Sequence, residues 1–404
     1  MIKKIGYIFV LLILIALGGS GWFFSGVIYE GALNPEFNDS QSIGTAEDRV
    51  IVSKVNSNSI ILNVEEELWG PLLEKGVYGI IGQNGDAVVG KIISTEGTSV
   101  ERELISINGT VVEGDRISGT SLVVRDDNNE YQILGTSGWS GQASEGVYTP
   151  KSVSNLDYET IYYKSNLGEF PAYLTNDGDV GIVIFVHGFR GDYSREVFAK
   201  MRAGEIVDMG YRSMIISYRN DRGLPKDPSG IYQYGTTEWE DVDGAINKAL
   251  EFTDNVVLFG TSGGGGPISS WVENVGDKSK VKGIIYEAPV VNFWESVEVN
   301  GAARYPWVPK QLFGYFKIFT EIRYGVDFQK MDFTDAVINS DIPVLLFHGD
   351  DDEWVPVEMS DLIASSRDKN FTYIRYENVG HVTSWNADPD NYVYQLEKFL
   401  TSLD

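Results

Sequence analysis

Apolar positions along the 404-residue chain fall into three successive patterns, and the first is a single block. No charge interrupts the 25 residues between Lys4 and Glu30. A helix of that length reaches roughly 37 Å, enough to cross a hydrocarbon core of about 30 Å with some tilt. Lys3 and Lys4 precede the block, and Glu30, Glu36 and Asp39 follow it. This bias leaves the short N-terminus in the cytoplasm and everything after it outside. A cleaved secretory signal is the competing reading, with a charged start and small residues at Gly18, Gly19 and Ser20. Against it, the apolar run continues through Trp22, Phe23, Phe24, Val27 and Ile28, and no clear A-x-A site is present. The pattern predicts a transmembrane signal anchor over 1–30, with secretion after cleavage as the alternative. A turn-rich tether follows over 31–46.

Between 47 and 150 the apolar residues come in short β-branched runs. "RVIVSKV", "SIILNV", "GVYGII", "DAVVGKIIS" and "TSLVVRD" are separated by turn formers such as "NSNS", "QNGD" and "INGT". Asn-Gly between apolar runs is a strong hairpin signal. Helical periodicity is confined to one possible turn near "VEEELWGPLLEKG". The expectation is a small all-β domain, a barrel or a sandwich, with no constellation that carries chemistry and an unknown binding partner. From 151 to 404 the pattern changes again. After a predicted hairpin, unbroken apolar runs such as "VGIVIFVHG", "NVVLFG", "VKGIIYEAP" and "IPVLLFHGD" alternate with segments of helical spacing. A parallel sheet covered by helices on both faces requires this alternation. Such a sheet places its reactive groups just past the carboxyl ends of strands.

Charge and composition narrow the function. Asp plus Glu number 58 against 32 Lys plus Arg, a formal net charge of −26. Nucleic acid is excluded as a partner, since its binding rests on cationic contacts to phosphate. The same balance disfavours a surface role on anionic lipid and favours a neutral or cationic substrate. There is no cysteine, hence no disulfide, thiolate nucleophile or Cys-ligated metal. Imidazole chemistry must draw on three residues, His187, His348 and His381.

Within the alternating region, "VVLFGTSGGGGPISS" (256–270) sets Ser262 among glycines between an apolar run and a helical one. A phosphate loop would need Gly-Lys-Ser/Thr, and Gly265-Gly266-Pro267 stands there instead. Gly260-Thr261-Ser262-Gly263-Gly264 fits G-x-S-x-G, a serine on a tight strand-to-helix turn. A serine nucleophile needs a base, and the base an orienting acid. His381, in "YENVGHVTSW", is the only histidine after the acidic loop "HGDDDEWVP". Periodicity does not choose among Asp350, Asp351, Asp352 and Glu353. The N–H of Gly263, at a helix start, and that of Phe189, in "VHGFRGD", are candidate oxyanion donors. His187 and His348 read as turn residues beside the site.

"HGFRGD", "GTSGGG", "HGDDDEWVP" and "VGHVTSW", in this order over residues 155–404, resemble the α/β-hydrolase superfamily, esterase-like and serine-aminopeptidase-like members included. The resemblance implies a mostly parallel sheet flanked by helices and a catalytic triad of Ser262, Asp352 and His381. Asp352 follows from the family's spacing of the acid after the His of "HGDDDEWVP". A helical cap over the site is implied at about 288–336, where Trp294, Trp307 and Phe313 are candidates for a substrate pocket. Glu238 and Asp241 of "YGTTEWEDVDGAI" are expected to be structural. No metal or organic cofactor is implied. The expected activity is carboxylic ester hydrolysis. An amide- or peptide-hydrolysing enzyme and an acyltransferase are alternatives, and a non-catalytic scaffold at the cell surface is a reading of another class.

Overall fold

The computed structural model describes residues 17–35, 50–64, 70–126, 128–134, 149–189, 191, 197–367 and 369–403. The β-branched runs of the second region close on themselves. Strands β1 (Val50–Val55), β2 (Ser59–Val64), β3 (Tyr78–Gly82), β4 (Gly85–Glu96), β5 (Ser99–Gly109) and β6 (Arg116–Thr120) form a barrel in the order β1-β2-β5-β4-β3-β6, with β1 pairing to β6. Val50, Val52, Ile60, Leu62, Ile80, Val89 and Ile117 fill its interior, so alternate positions face inward as a half-buried strand requires. Register shifts in β4 against β5 bend that long ribbon toward closure. A short ribbon, β7 (Val123–Arg125) with β8 (Tyr131–Ile133), follows.

The remaining strands make one eight-stranded sheet. They are β9 (Tyr158–Ser165), β10 (Gly168–Thr175), β11 (Gly181–Val186), β12 (Tyr211–Ile216), β13 (Val256–Thr261), β14 (Gly283–Glu287), β15 (Val344–Gly349) and β16 (Phe371–Tyr376), in spatial order β16-β15-β14-β13-β11-β12-β10-β9. β10 runs antiparallel to both its neighbours, and the six strands β11 to β16 are parallel. Every residue of β11, β13, β14 and β15 is buried, which explains their unbroken apolar character. Alternation along β11 divides two cores: Ile182, Ile184 and Val186 pack on one face, Val183 and Phe185 on the other. The second core also takes in Val77, Val88 and Val123, so barrel and sheet share one apolar cluster.

Helices Phe293–Arg304 and Gln311–Tyr324 lie between β14 and β15, in the stretch where a cap was expected. Residues 1–16 of the expected anchor lie outside the described residues, as do 36–46 of the tether and 47–49 ahead of β1. Residues 17–28 are helical and a π-turn, Tyr29–Leu33, continues them. Among the described residues no helix is long and apolar enough to cross a membrane. Phe24 and Ser25 are buried against the protein, and Leu33 is docked into the sheet domain's core rather than starting a loose tether.

Candidate active site

Ser262 sits where β13 gives way to a helix. Its φ is +50°, in the left-handed region that a residue bearing a Cβ seldom takes. A 3-10 turn, Ser262–Gly264, leads into helix Gly265–Asn274. The turn admits only glycine behind the serine: a Cβ on Gly264 would lie 2.1 Å from the Val186 carbonyl oxygen. Strain and crowding together lift the Ser262 hydroxyl off the end of the sheet, as a nucleophile elbow does. The sheet order and this turn agree with the α/β-hydrolase fold expected from the sequence motifs.

Three side chains distant in sequence meet there. His381 Nε2 lies 2.9 Å from Ser262 Oγ, and His381 Nδ1 lies 2.7 Å from Asp352 Oδ2. A neutral imidazole with its proton on Nδ1 satisfies both contacts, donating to the carboxylate and accepting from the hydroxyl. Asp352 is fully saturated. Its Oδ1 accepts the N–H groups of Trp354 (2.8 Å) and Val355 (2.9 Å), and its Oδ2 also lies 3.2 Å from His348 Nε2. Burial alone would raise the Asp352 carboxyl, but electrostatic attraction to His381 and the hydrogen bonds from both histidines outweigh it. The group is held well below the usual carboxylate range. Of the neighbouring acids, Asp350 accepts from Arg375 and from the Asn378 N–H, both at 2.7 Å, while Asp351 and Glu353 face solvent.

The two expected oxyanion donors are adjacent. A Cβ placed on Gly263 would lie 2.9 Å from Phe189 N. His187 stands behind this loop, with its Nε2 2.9 Å from Asp221 Oδ2 and its ring stacked on Tyr218 at 4.4 Å. Beside the donors lies a concavity lined by Phe189, Tyr218, Tyr232, Tyr234, Glu238, Gly263 and Pro267. Glu238 is buried and accepts the N–H groups of Gln233 (2.9 Å) and Gly235 (2.8 Å), holding the turn at Tyr234, whose φ is +45°. Asp241 accepts from the Arg219 guanidinium at 2.7 Å. Trp294, Trp307 and Phe313 are not among the lining residues. Trp294 packs on Phe328, Phe313 is buried against Phe316, and Trp307 is 73% exposed.

The loop carrying His381 is held from two domains. On the sheet side, buried Glu287 accepts from the Ser384 N–H (3.1 Å) and the Tyr392 hydroxyl (2.6 Å). On the barrel side, Glu74 accepts from the hydroxyls of Tyr78 (2.8 Å) and Thr383 (3.0 Å) and from the Gly380 N–H. Burial raises both carboxyls above the usual range. The Asn386 side chain donates to the carbonyls of Val77 (2.9 Å) and Ser121 (3.0 Å), and the Val77 N–H donates to Asn386 O at 2.7 Å. Buried Arg102 anchors the barrel segment by donating to the carbonyls of Leu72, Glu74, Gly76 and Gly90. Reading along the chain missed Glu74, which lies 309 residues from Thr383 in a region expected to be free of chemistry. Arg102, which takes an inward position between Val100 and Leu104 in β5, is a local sign of this arrangement.

No protein-family model matches the sequence, and no curated protein matches it significantly. Solved structures similar in fold include the esterase Pf2001 of Pyrococcus furiosus, with a TM-score of 0.49 and 16% identity over 64% of this chain and 96% of its own. Others are an esterase from Exiguobacterium antarcticum, with 0.44 and 17% over 60% and 100%, and a bromoperoxidase from Bacillus anthracis, with 0.42 and 18% over 60% and 100%. Nothing about substrate passes from them to this chain.

Proposed function

We propose that the protein is a serine hydrolase acting on carboxylic esters, anchored at its N-terminus and working on the extracytoplasmic side of a membrane. The observation that carries the activity is the Ser262–His381–Asp352 relay at the strained turn. Ser262 Oγ attacks the ester carbonyl carbon as His381 Nε2 takes its proton. Asp352 fixes the imidazole orientation and stabilises the imidazolium. The N–H groups of Phe189 and Gly263 receive the charge that develops on the carbonyl oxygen. Collapse expels the alcohol, protonated by His381. Water then attacks the acyl-enzyme, with His381 acting as base again.

Esters are favoured over aminoacyl amides by the character of the concavity. An aminopeptidase needs a carboxylate turned toward the substrate ammonium, and the one acid among the described residues lining this surface, Glu238, is turned onto two backbone N–H groups. The test is labelling by a fluorophosphonate probe beside turnover of nitrophenyl esters and aminoacyl nitroanilides. Wild type should label and cleave esters faster, and Ser262→Ala should do neither. A folded wild type that never labels would overturn the hydrolase reading.

A further inference from the structure

The N-terminal helix and the second cap helix lie side by side and in parallel. Tyr315 donates to the Leu17 carbonyl at 2.8 Å, and Arg323 donates to the Trp22 carbonyl at 2.7 Å. Phe24 stacks on Phe316 at 4.4 Å and Tyr29 on Tyr324 at 4.4 Å. Inward packing accounts for only one face of this pair. Phe313, Phe316 and Thr320 are buried, yet Ile318 and Ile322, one turn apart on the opposite side of the helix, are 56% and 79% exposed. Leu17, Trp22 and Phe23 of the N-terminal helix are exposed as well, as is Trp307 beside Phe24. Large apolar side chains gathered on one exposed ridge mark an interaction surface.

Charge and sequence identify what meets it. From Arg304 to Gly325 there are four cations, Arg304, Lys310, Lys317 and Arg323, against one carboxylate, Glu321. Residues 17–30 add one carboxylate, Glu30, and no cation. The two segments together carry four cations and two carboxylates and the rest of the chain 28 and 56, so this ridge is a basic zone on a strongly acidic protein. Aromatic, aliphatic and Lys/Arg side chains mixed on one face are the composition of a lipid-water interface. Residues 5–16, "IGYIFVLLILIA", run without a charge straight into Leu17. The helix then leads to the reaction centre: the Ala32 carbonyl accepts from the Tyr234 hydroxyl and the Leu33 carbonyl from the Tyr232 N–H, both at 2.8 Å. Tyr232 and Tyr234 line the concavity beside Gly263.

We infer that this two-helix ridge lies on a phospholipid bilayer containing anionic lipid, and that it holds the mouth of the site at the membrane so that esters dissolved in lipid reach Ser262. The consequence for substrate rests on the hydrolase reading; the docking does not. The overall charge of −26 argues against anionic lipid only while it is taken as evenly spread. Because the N-terminal segment, residues 1–30, is expected to hold the chain at the membrane in any case, vesicle binding alone does not test the ridge.

The full chain is reconstituted in vesicles of phosphatidylcholine and phosphatidylglycerol with brominated acyl chains, and tryptophan emission is compared with Trp307→Phe. The brominated lipid should quench a component that disappears with Trp307. In parallel, Ile318→Asp/Ile322→Asp should lower hydrolysis of a long-chain nitrophenyl ester dissolved in the vesicles at least tenfold. It should leave hydrolysis of nitrophenyl acetate in water within twofold. A Trp307 untouched by brominated lipid, or a double variant equal to wild type on the vesicle ester, overturns the inference. So does a wild-type dimer that the double variant converts to monomer. If wild type cleaves neither ester, the hydrolase reading fails and the quenching still decides the ridge.

Discussion

Replacing Glu74 by alanine isolates the contribution of the barrel to the reaction centre. Its carboxylate, in a different domain from the triad, bonds the Gly380 N–H and the Thr383 hydroxyl, one and two residues from His381. Truncation leaves those two donors and the Tyr78 hydroxyl buried without an acceptor. Each such group costs about 1–3 kcal/mol. Removing a carboxyl whose burial already opposes ionisation returns part of that sum. A net loss of about 2–4 kcal/mol is expected, and the loop bearing His381 is the part released. A displacement of about 1 Å at a reacting group costs on the order of 100-fold in rate. Glu74→Ala should therefore lower kcat on nitrophenyl acetate by about 10- to 100-fold, with KM within about twofold and fluorophosphonate labelling slowed in parallel. Glu74→Gln keeps the shape and one acceptor oxygen and should recover most of the rate. The hydroxyls of Tyr78 and Thr383 can rotate to accept from its amide. Scanning fluorimetry supplies the control. If Glu74→Ala lowers Tm but leaves kcat unchanged, the barrel only fastens the domains together and does not position His381.

Three further outcomes follow from the geometry. Asp352→Asn should lower kcat by about 10³-fold or more, whereas Asp350→Asn, which loses contacts to Arg375 and the Asn378 N–H, should stay within about threefold; equal losses would move the acid to another residue. The depressed Asp352 carboxyl contributes stability that is present above its unfolded pKa of about 3.9 and is lost as pH falls toward the lower folded value. Asp352→Asn should accordingly flatten the fall of Tm with pH below about 4, and an unchanged slope would refute the assignment. Gly76→Ala forces a Cβ to 2.0 Å from the Asn386 carbonyl oxygen at φ +123°, and should destabilise by about 2 kcal/mol or more. A Tm within 1 °C of wild type would show that the barrel and the His381 loop adjust independently.

Much of the site was legible along the chain because its chemistry is written in short local patterns. Buried parallel strands must be apolar at every position, so β11, β13, β14 and β15 stood out as unbroken runs. A serine lifted off a strand end needs small neighbours, so Gly260, Gly263 and Gly264 flagged Ser262. One histidine after one acidic loop left a single base to consider. Choosing among four consecutive acids was beyond periodicity, and only the folded loop turns Asp352 inward while Asp350 goes to Arg375. The concavity was also out of reach. Aromatic residues of the cap, Trp294, Trp307 and Phe313, looked suited to a pocket by composition, while the small hollow beside Gly263 is lined by Phe189, Tyr218, Tyr232 and Tyr234, which precede the nucleophile.

Residue types and their spacing thus determine the secondary elements, the order of the reactive residues and the division into an all-β and an alternating region. These depend on interactions within a few residues, which leave a periodic trace. Tertiary structure alone decides which of equal candidates meet, because packing at a distance leaves no such trace. It brings Glu74 to the loop of His381 across 309 residues. It also turns half of an apolar N-terminal helix onto the cap while leaving Trp22 and Phe23 outside. The same hydrophobicity serves membrane insertion and protein packing, and only the surface it meets distinguishes the two.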